Sequence, residues 1–445
     1  MPLAPETRRT AWRIARLAAP MMLARAGLLV MVAVDTAMIG HAGVQPLAQF
    51  GIANAMHVPA LVVMIGLLTS VLILSSQAIG AGRPGETARI WLVGCGLAII
   101  CGMLTGMFLW FGEPLLGWLG QPPELAAGGG EVMRAFAYGM PAIALYIANV
   151  FLLESLGRPN IGLGIVVAGN LANVLGNIIL ISEGGNAAVE ATIATSATRW
   201  LMAALALAAV IQMAHKGALV VRGTVGEYLS VVQRMLKKGG PVAVAQYLES
   251  SSFNGTVIFA GWIGANAVAA MQIAYNVLAI IFMLSLGIGA AASVEVGRAT
   301  GAGDMTGVRR SGWTALGLNI TAMLALTPFL LIGAGEVAGL YTDDPVLIPL
   351  ATTAVAITAL VLIADGGQAV VTGALRGFGD VTFGTIAYLV AFGFCALPFA
   401  WLLGVHLEFG TPGLLYGLFT GLFLLMALLV SRFAWITRPG QRAAG

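Results

Sequence analysis

The sequence predicts an all-α polytopic membrane protein whose twelve transmembrane helices form two six-helix bundles, related by a pseudo-two-fold axis along the membrane normal. Three observations lead to this fold class. Of the 445 residues, 59% are hydrophobic and only 9% are charged, a composition outside the range of soluble domains. Apolar runs of about 20 residues recur along nearly the whole chain, each long enough to cross a membrane as a helix. The two halves of the chain also resemble each other.

The apolar runs define twelve predicted spans, because their length and their lack of alternating polarity exclude the strands of a barrel. The first six lie near residues 14–40, 48–78, 90–112, 132–154, 160–181 and 190–213. The second six lie near residues 239–262, 266–297, 311–333, 347–373, 382–405 and 412–436. The first run leads into a full-length span without a small-residue cleavage site, so we predict a retained helix rather than a cleaved signal peptide.

The second half of the chain repeats the first at an offset of about 220 residues. Pro20 corresponds to Pro241, and the segment IGAGR at 79–83 corresponds to TGAGD at 300–304. Because each half holds an even number of spans, the halves are expected to share one orientation, with a pathway between them. The predicted parts are an N-lobe over 1–214, a cytoplasmic linker over 215–238 and a C-lobe over 239–445.

The basic residues predict the orientation in the membrane. Most of the 22 Lys and Arg fall at the two termini and in the even-numbered loops, whereas the odd-numbered loops carry only Arg134. By the positive-inside rule, both termini are expected in the cytoplasm. The net charge of +3 is then a topology signal. A basic patch with interleaved aromatics, which would predict a nucleic-acid partner, is absent from the sequence.

Three carboxylates interrupt the predicted spans: Asp35 in the first, Glu249 in the seventh and Asp365 in the tenth. A charge near the centre of a spanning helix costs about 2.5–3.5 kcal/mol on insertion scales, so an acid at that depth indicates a cation, a proton or a partner. The only bases at comparable depth are Arg25 and Arg199, and the sequence assigns no partner to Arg25. The three acids are therefore candidate ion-binding groups, each a candidate ligand for Na⁺.

Amide and hydroxyl side chains in neighbouring spans suit the same chemistry. Asn170, Asn173 and Asn177 fall at i, i+3 and i+7 of the fifth span, which places them on one helical stripe. Amide oxygens are hard ligands suited to Na⁺ or to a protonated carboxyl, and hydrogen bonding between packed helices is the structural alternative. We favour the functional role for Asn173 and Asn177 and leave both roles open for Asn170. Thr195 in the sixth span supplies a candidate hydroxyl.

A further set of side chains is a candidate lining for a cavity. Gln272 and Asn276 share one face of the eighth span at i and i+4. The aromatic residues Tyr247, Phe253 and Tyr275 are suited to stacking on a hydrophobic cation. Packing within the membrane is the structural alternative for each of these five residues.

The sequence contains no Walker A, HExxH or G-x-S-x-G motif, so ATP-driven pumping and the common membrane hydrolase chemistries are not supported. The three cysteines lie in apolar runs without metal-ligand company. We therefore predict a protein that is not an enzyme and has no cofactor.

Four segments resemble multidrug and toxic compound extrusion (MATE) transporters. They are VDTAMIG in the first span, NLANVLGN in the fifth, YLESSSFNGTV in the seventh and DGGQAVVTGALRGFGD around the tenth. Acids in both the seventh and tenth spans resemble the NorM-type branch. The likeness covers nearly the whole chain. It implies a V-shaped pair of bundles in a bacterial inner membrane, surrounded by lipid, in which a monomer exports amphipathic, often cationic drugs in exchange for Na⁺ or H⁺ by alternating access.

The resemblance also implies roles for individual residues. Asp35, Asn173, Asn177 and Thr195 would form the cation site of the N-lobe, and Glu249 with Asp365 would form the acidic site of the C-lobe. Gln272 corresponds to a position that contacts substrate in some members. Val361 stands where some relatives carry an aromatic residue, so the sequence departs from them close to Asp365.

Two other functions are alternatives for this sequence. A lipid-linked oligosaccharide flippase of the wider superfamily usually has a more cationic cavity, whereas acids outnumber bases at depth in this sequence. A membrane-embedded enzyme would need a nucleophile or a metal cluster, and the four histidines are too scattered along the chain to propose one.

Overall fold

A computed structural model describes residues 5–181, 185–215 and 224–438, which form an all-helical fold without a strand. Within these ranges, twelve long helices follow the order of the predicted spans. The first six are α1 (Pro5–Ala42), α2 (Val44–Gly80), α3 (Pro84–Trp110), α4 (Pro123–Ser155), α5 (Pro159–Leu180) and α6 (Ala187–His215). The other six are α7 (Val225–Ile263), α8 (Ala265–Gly301), α9 (Met305–Ile332), α10 (Leu347–Phe378), α11 (Val381–His406) and α12 (Gly410–Ile436). Short helices, Gly112–Trp118 and Ala334–Gly339, follow α3 and α9.

Eleven of these helices, in the part of the chain that is described, are long and apolar enough to cross a membrane, and α7 is the exception. It is 39 residues long but carries Glu227, Arg234, Glu249 and the serine run 250–252, which lower its hydropathy. The all-α membrane fold is as predicted. Of the predicted linker over 215–238, residues 216–223 lie outside the described ranges and α7 begins at Val225.

Helix α11 contains two π-helical stretches, Leu389–Ala396 and Leu402–His406, around the α-helical segment Leu397–Trp401. Pro398 lies at the start of that segment. Because proline has no N–H and its ring crowds the carbonyl four residues earlier, the regular α-helical ladder is not continued through it. The wider π-helical turns accommodate the proline without ending the helix.

The described chain divides into two compact units. Unit 1 comprises Met1–Met22 and Val244–Gly445, and unit 2 comprises Leu23–Ala243. Each boundary follows a proline inside a helix, Pro20 in α1 and Pro241 in α7. Because a proline removes one hydrogen bond from its helix, it weakens the helix where the chain leaves one unit for the other.

The turns repeat between the two halves, as the sequence repeat predicts. Gly43 before α2 and Gly264 before α8 both have a φ of 146°, and Gly82 and Gly303 in the turns after α2 and α8 have φ values of 69° and 72°. Residues with a Cβ rarely adopt these angles. Glycine at the same register in both halves therefore produces the same connection between consecutive helices.

A central helix organises each unit. In unit 2, α4 packs against α2, α3 and α6, and in unit 1, α10 packs against α8, α9 and α12. Helices α8 and α10 approach each other closely where Gly289 faces Gly373. The approach is so close that a Cβ added to Gly373 would overlap the Gly289 carbonyl oxygen. Small residues allow such close backbone approach within membranes. Gly289 and Gly373 therefore permit the close packing of α8 against α10.

Ion pairs hold the first segment of α1 and of α7 within their respective units. In unit 2, Arg89 pairs with Glu227 at 2.5 Å and Arg234 with Glu86 at 2.6 Å. In unit 1, Arg310 pairs with Glu6, and Arg13 pairs with Glu295 at 3.0 Å. In the repeat, Glu6 corresponds to Glu227 and Arg89 corresponds to Arg310. Each ion pair therefore joins the acid of one half of the chain to the base of the other half. The repeat therefore extends to the charges at the helix ends.

Substituting Gly373 tests the close approach of α8 and α10. We expect Gly373→Ala to cost about 1–3 kcal/mol, because the added methyl group forces two packed backbones apart. Gly317→Ala in α9 is the matched control, since a Cβ at that position meets no atom within 4 Å. Thermal unfolding in detergent measures both, and equal melting temperatures for the two variants would contradict the packing described.

Candidate functional site

The structure brings Asp35, Asn177, Thr195 and Asn173 together in unit 2. Asp35 lies on α1, the two asparagines on α5 and Thr195 on α6. Asn177 Nδ2 donates to Asp35 Oδ1 at 2.7 Å, and Thr195 Oγ1 donates to Asp35 Oδ2 at 2.6 Å. Asn173 Nδ2 donates to Thr195 Oγ1 at 3.0 Å. The four side chains form one hydrogen-bonded group, which we call the Asp35 cluster.

The Asp35 cluster is enclosed and keeps unused acceptors. Asp35 is only 2% exposed, and Asn173 and Asn177 are fully buried. The two amide oxygens, Asn173 Oδ1 and Asn177 Oδ1, have no hydrogen-bond partner. A buried acceptor without a partner is costly. A small hard cation would take both oxygens as ligands together with the carboxylate, so the residues present fit a site for a monovalent cation.

Asn170 occupies a different setting on the same helical stripe. Its Nδ2 donates to the Gly27 carbonyl oxygen of α1 at 3.0 Å and to the Val166 carbonyl oxygen of α5 at 2.9 Å. The bond to Gly27 joins α1 to α5, and the bond to Val166 lies within α5. Of the two roles left open for Asn170, the geometry favours helix–helix hydrogen bonding.

Arg199, a buried arginine for which the sequence predicts no role, lies one turn from the Asp35 cluster. Arg199 follows Thr195 by four residues on α6 and is 7% exposed. Its Nη2 lies 3.3 Å from His57 Nε2, and its guanidinium carbon lies 5.3 Å from the centroid of the Phe136 ring. The i, i+4 spacing of Thr195 and Arg199 was the available signal. His57 lies 142 residues away in sequence, so no local pattern could have revealed it.

Arg25, the other arginine at depth, pairs within unit 2. Its Nη2 lies 3.4 Å from Glu154 Oε2, and Glu154 is buried. This ion pair gives Arg25 a structural role in joining α1 to α4.

In unit 1, Glu249 and Asp365 belong to a second polar group, which we call the Glu249 cluster. Gln368 Nε2 donates to Glu249 Oε1 at 3.0 Å, and Tyr388 Oη donates to Gln368 Oε1 at 2.7 Å. Asp365 precedes Gln368 by one turn of α10 and is 4% exposed. The chain from Tyr388 through Gln368 fixes the orientation of Glu249.

The Glu249 cluster has more acid than base. The base on the same stretch of α10 is Arg376, two turns beyond Gln368. With Glu249 and Asp365 both ionised, the cluster carries an excess negative charge. Such a charge in a low-dielectric environment attracts cations strongly. Gln368 and Arg376 were not singled out from the sequence, because an amide or an arginine on an apolar helix does not by itself indicate a partner.

The residues proposed as a cavity lining are dispersed over unit 1. Gln272 and Asn276 are exposed, and Asn276 Nδ2 donates to the Gln272 backbone carbonyl at 3.0 Å. Tyr247 is 51% exposed. The Phe253 and Tyr275 rings meet edge to face with centroids 5.1 Å apart. The structure joins Phe253 to Tyr275 as a packed pair and places no hydrogen bond between these five residues and Glu249 or Asp365 within the described ranges.

A transition-metal centre is not part of either cluster. In the described ranges, no three His, Cys, Asp or Glu side chains are grouped so as to hold a metal ion. Each cluster instead relies on one or two carboxylates with amide, hydroxyl or phenol groups. Such oxygen donors suit hard monovalent cations and protons.

Comparisons with known proteins give the family and the fold of the chain. The sequence model of the MatE family matches residues 20–179 and 241–402. A probable multidrug resistance protein NorM of Rhodopseudomonas palustris is 32% identical over 96% of this chain and 92% of its own length. A multidrug resistance protein NorM of Burkholderia vietnamiensis is also 32% identical, over 96% of this chain and 95% of its own. The crystal structure of the eukaryotic MATE transporter AtDTX14 superposes with a TM-score of 0.89 at 18% identity, covering 96% of both chains.

The hydrogen bond from Thr195 to the buried carboxylate gives a testable difference between two threonines of α6. We expect Thr195→Val to cost about 1.5–3 kcal/mol, because a buried charged acceptor loses a donor. Thr192→Val is the matched control, since Thr192 is equally buried and donates only to the Ala188 carbonyl of its own helix, a neutral bond of about 0.5–1.5 kcal/mol. Melting temperatures in detergent compare the two. A Thr195→Val loss no larger than that of Thr192→Val would contradict the assigned bond.

Proposed function

Because the chain belongs to the MatE family, we propose that it is a secondary antiporter that exports amphipathic, cationic drugs in exchange for Na⁺ or H⁺ by alternating access. It is a transporter rather than an enzyme, as are the members of this family. The observation that carries the proposal is the Asp35 cluster, in which a buried carboxylate lies beside two amide oxygens without partners. The carboxylate and the two amide oxygens are the proposed binding groups for the coupling ion.

The two clusters suggest a division of roles between the units. The Asp35 cluster offers one carboxylate with amide and hydroxyl oxygens, which suits a small desolvated ion. The Glu249 cluster contains two acids, and the single charge of Arg376 can balance only one of them. The remaining negative charge suits a larger organic cation or the coupling ion. Bound Na⁺ would be held by Asp35, Asn173, Asn177 and Thr195, and a proton would reside on the Asp35 carboxyl.

Coupling requires that the drug and the ion favour different states of the transporter. If the ion binds preferentially when the protein faces outward and the drug when it faces the cytoplasm, each ligand drives the change that releases the other. A change in charge at a buried acid supplies this preference, since a neutralised carboxylate and a charged one differ in their cost of burial. The cycle needs no cofactor and no covalent step.

The expected setting is the cytoplasmic membrane of a bacterium, with both termini in the cytoplasm. The distribution of Lys and Arg supports this orientation, and the bacterial relatives support this location. One chain contains both clusters, so a monomer surrounded by lipid is sufficient for transport.

Efflux from proteoliposomes under imposed gradients tests the proposal. With a fluorescent hydrophobic cation such as ethidium as the probe, we expect an inward-directed gradient of Na⁺ or of H⁺ to drive its transport against its own gradient. Each gradient is imposed alone, and an equal salt gradient of K⁺ is the control. If neither Na⁺ nor H⁺ drives transport of the dye, secondary antiport is contradicted.

The same assay with acid-to-amide variants tests the residues. We expect Asp35→Asn, Glu249→Gln and Asp365→Asn each to reduce ion-driven efflux by at least tenfold, because each removes a buried charge that the ion or the drug must neutralise. The control Glu124→Gln makes the same change at an exposed acid. All four variants must reach the membrane at the wild-type level. Efflux at the wild-type rate in all three cluster variants would contradict the role assigned to these acids in transport.

A further inference from the structure

The charge on Arg199 is not neutralised by the groups that touch it. His57, Phe136 and the Met140 sulfur contact its guanidinium, and none of them is an anion. Among the described residues, Arg199 takes part in none of the ion pairs closer than 4.0 Å. A cation buried in a membrane-spanning helix is costly without a counter-charge. One turn earlier on the same helix, Thr195 Oγ1 donates to the buried carboxylate of Asp35 at 2.6 Å.

The contacts of Arg199 fix its position rather than its charge. A guanidinium only donates hydrogen bonds, so His57 Nε2 must accept from Arg199 and the His57 proton must reside on Nδ1. His57 Nδ1 then donates to Asn54 Oδ1, which lies 3.3 Å away. The His57 ring also stacks on Phe136 with centroids 4.1 Å apart. His57 is thus held neutral and orients Arg199 without changing the charge balance.

The neighbouring helix is shaped to admit Arg199. A Cβ on Gly139 of α4 would lie 3.0 Å from Arg199 Cδ and 2.7 Å from Ser196 Oγ. Ser196 Oγ itself donates to the Ala135 carbonyl of α4 at 2.6 Å. Helices α4 and α6 therefore pack closely at this level because residue 139 is glycine. The guanidinium is enclosed by α2, α4 and α6.

We propose that Arg199 is the internal counter-charge of Asp35 and sets how tightly the Asp35 cluster binds the coupling ion. The inference rests on the proposed function, since it assigns a role within the same ion site. With the ion absent, the negative Asp35 and the positive Arg199 balance. When a Na⁺ or a proton neutralises Asp35, the Arg199 charge is left without its counter-charge. Arg199 therefore opposes ion binding and promotes ion release, and it acts as a positioning residue through Asp35.

This role explains why the cluster does not hold its ion permanently. A buried carboxylate beside two free amide oxygens would bind a cation tightly if no other charge were near. An antiporter must release the ion on every cycle. The fixed positive charge one helical turn from Thr195 weakens binding without blocking the oxygens. His57, the only other titratable side chain in contact with Arg199 among the described residues, supplies no charge in the tautomer described.

A double-variant cycle on stability tests the charge coupling without any transport. Asp35→Asn, Arg199→Gln and the double variant are compared by thermal unfolding of the purified protein in detergent. We expect each single variant to melt at a lower temperature than the wild type, and the double variant to melt above the value that additive losses predict. Asp35→Asn with Arg25→Gln is the matched control, because Arg25 pairs with Glu154, and its losses should add. Additive losses for the Asp35–Arg199 pair would overturn the proposal.

A second measurement separates a charge role from a packing role. In ethidium efflux driven by the effective gradient, we expect Arg199→Gln to lower the half-saturating concentration of the coupling ion about tenfold, and Arg199→Lys to retain the wild-type value. An unchanged or higher half-saturating concentration in Arg199→Gln would overturn the proposal. Coupling in the stability cycle supports it regardless of which ion drives efflux. Efflux that no ion gradient drives would contradict the antiport, whereas additive losses in the stability cycle would contradict the counter-charge role of Arg199.

Discussion

Burial of the Asp35 carboxylate is the constraint on which the rest of unit 2 depends. An isolated ionised acid in an apolar setting is too costly to persist, so its neighbours must supply donors and a counter-charge. Asn177 and Thr195 supply the donors, and Arg199 is the proposed counter-charge. What remains unsatisfied is the pair of amide oxygens. The Asp35 cluster therefore combines a hydrogen-bonded carboxylate with two free acceptors, as the proposed ion site requires.

The two units share a fold and differ in chemistry. At the position that corresponds to Asp35 in the repeat stands Thr256, whose hydroxyl lies 2.5 Å from Tyr275 Oη. The position that corresponds to Glu249 is occupied by Leu28. The repeat therefore preserves turns and packing, such as the glycines before α2 and α8, while the acids are specific to each unit. Two dissimilar polar clusters on one repeated scaffold are consistent with the proposed exchange of an ion for a drug.

Much of this could be predicted from the sequence, because the informative signals are local. Apolar length predicted the helices, and the spacing of Asn173 and Asn177 predicted a shared stripe that the structure places beside Asp35. Contacts between distant segments could not be predicted in the same way. The hydrogen bond from Asn170 to Gly27, for example, joins residues 143 positions apart in sequence. Arg199 and Gln368 gain their meaning from His57 and Glu249, over 100 residues away along the chain.

If ion and drug compete through the charge state of a buried acid, the ion concentration must change the affinity for the drug. Thermodynamic linkage makes this change directly measurable. The decisive measurement is the affinity of the purified protein for ethidium, titrated at rising concentrations of the coupling ion. The account predicts that dye binding weakens as the ion concentration rises, and that Asp35→Asn abolishes this dependence. An affinity that does not respond to either Na⁺ or H⁺ in the wild type, or that responds equally in Asp35→Asn, would contradict it.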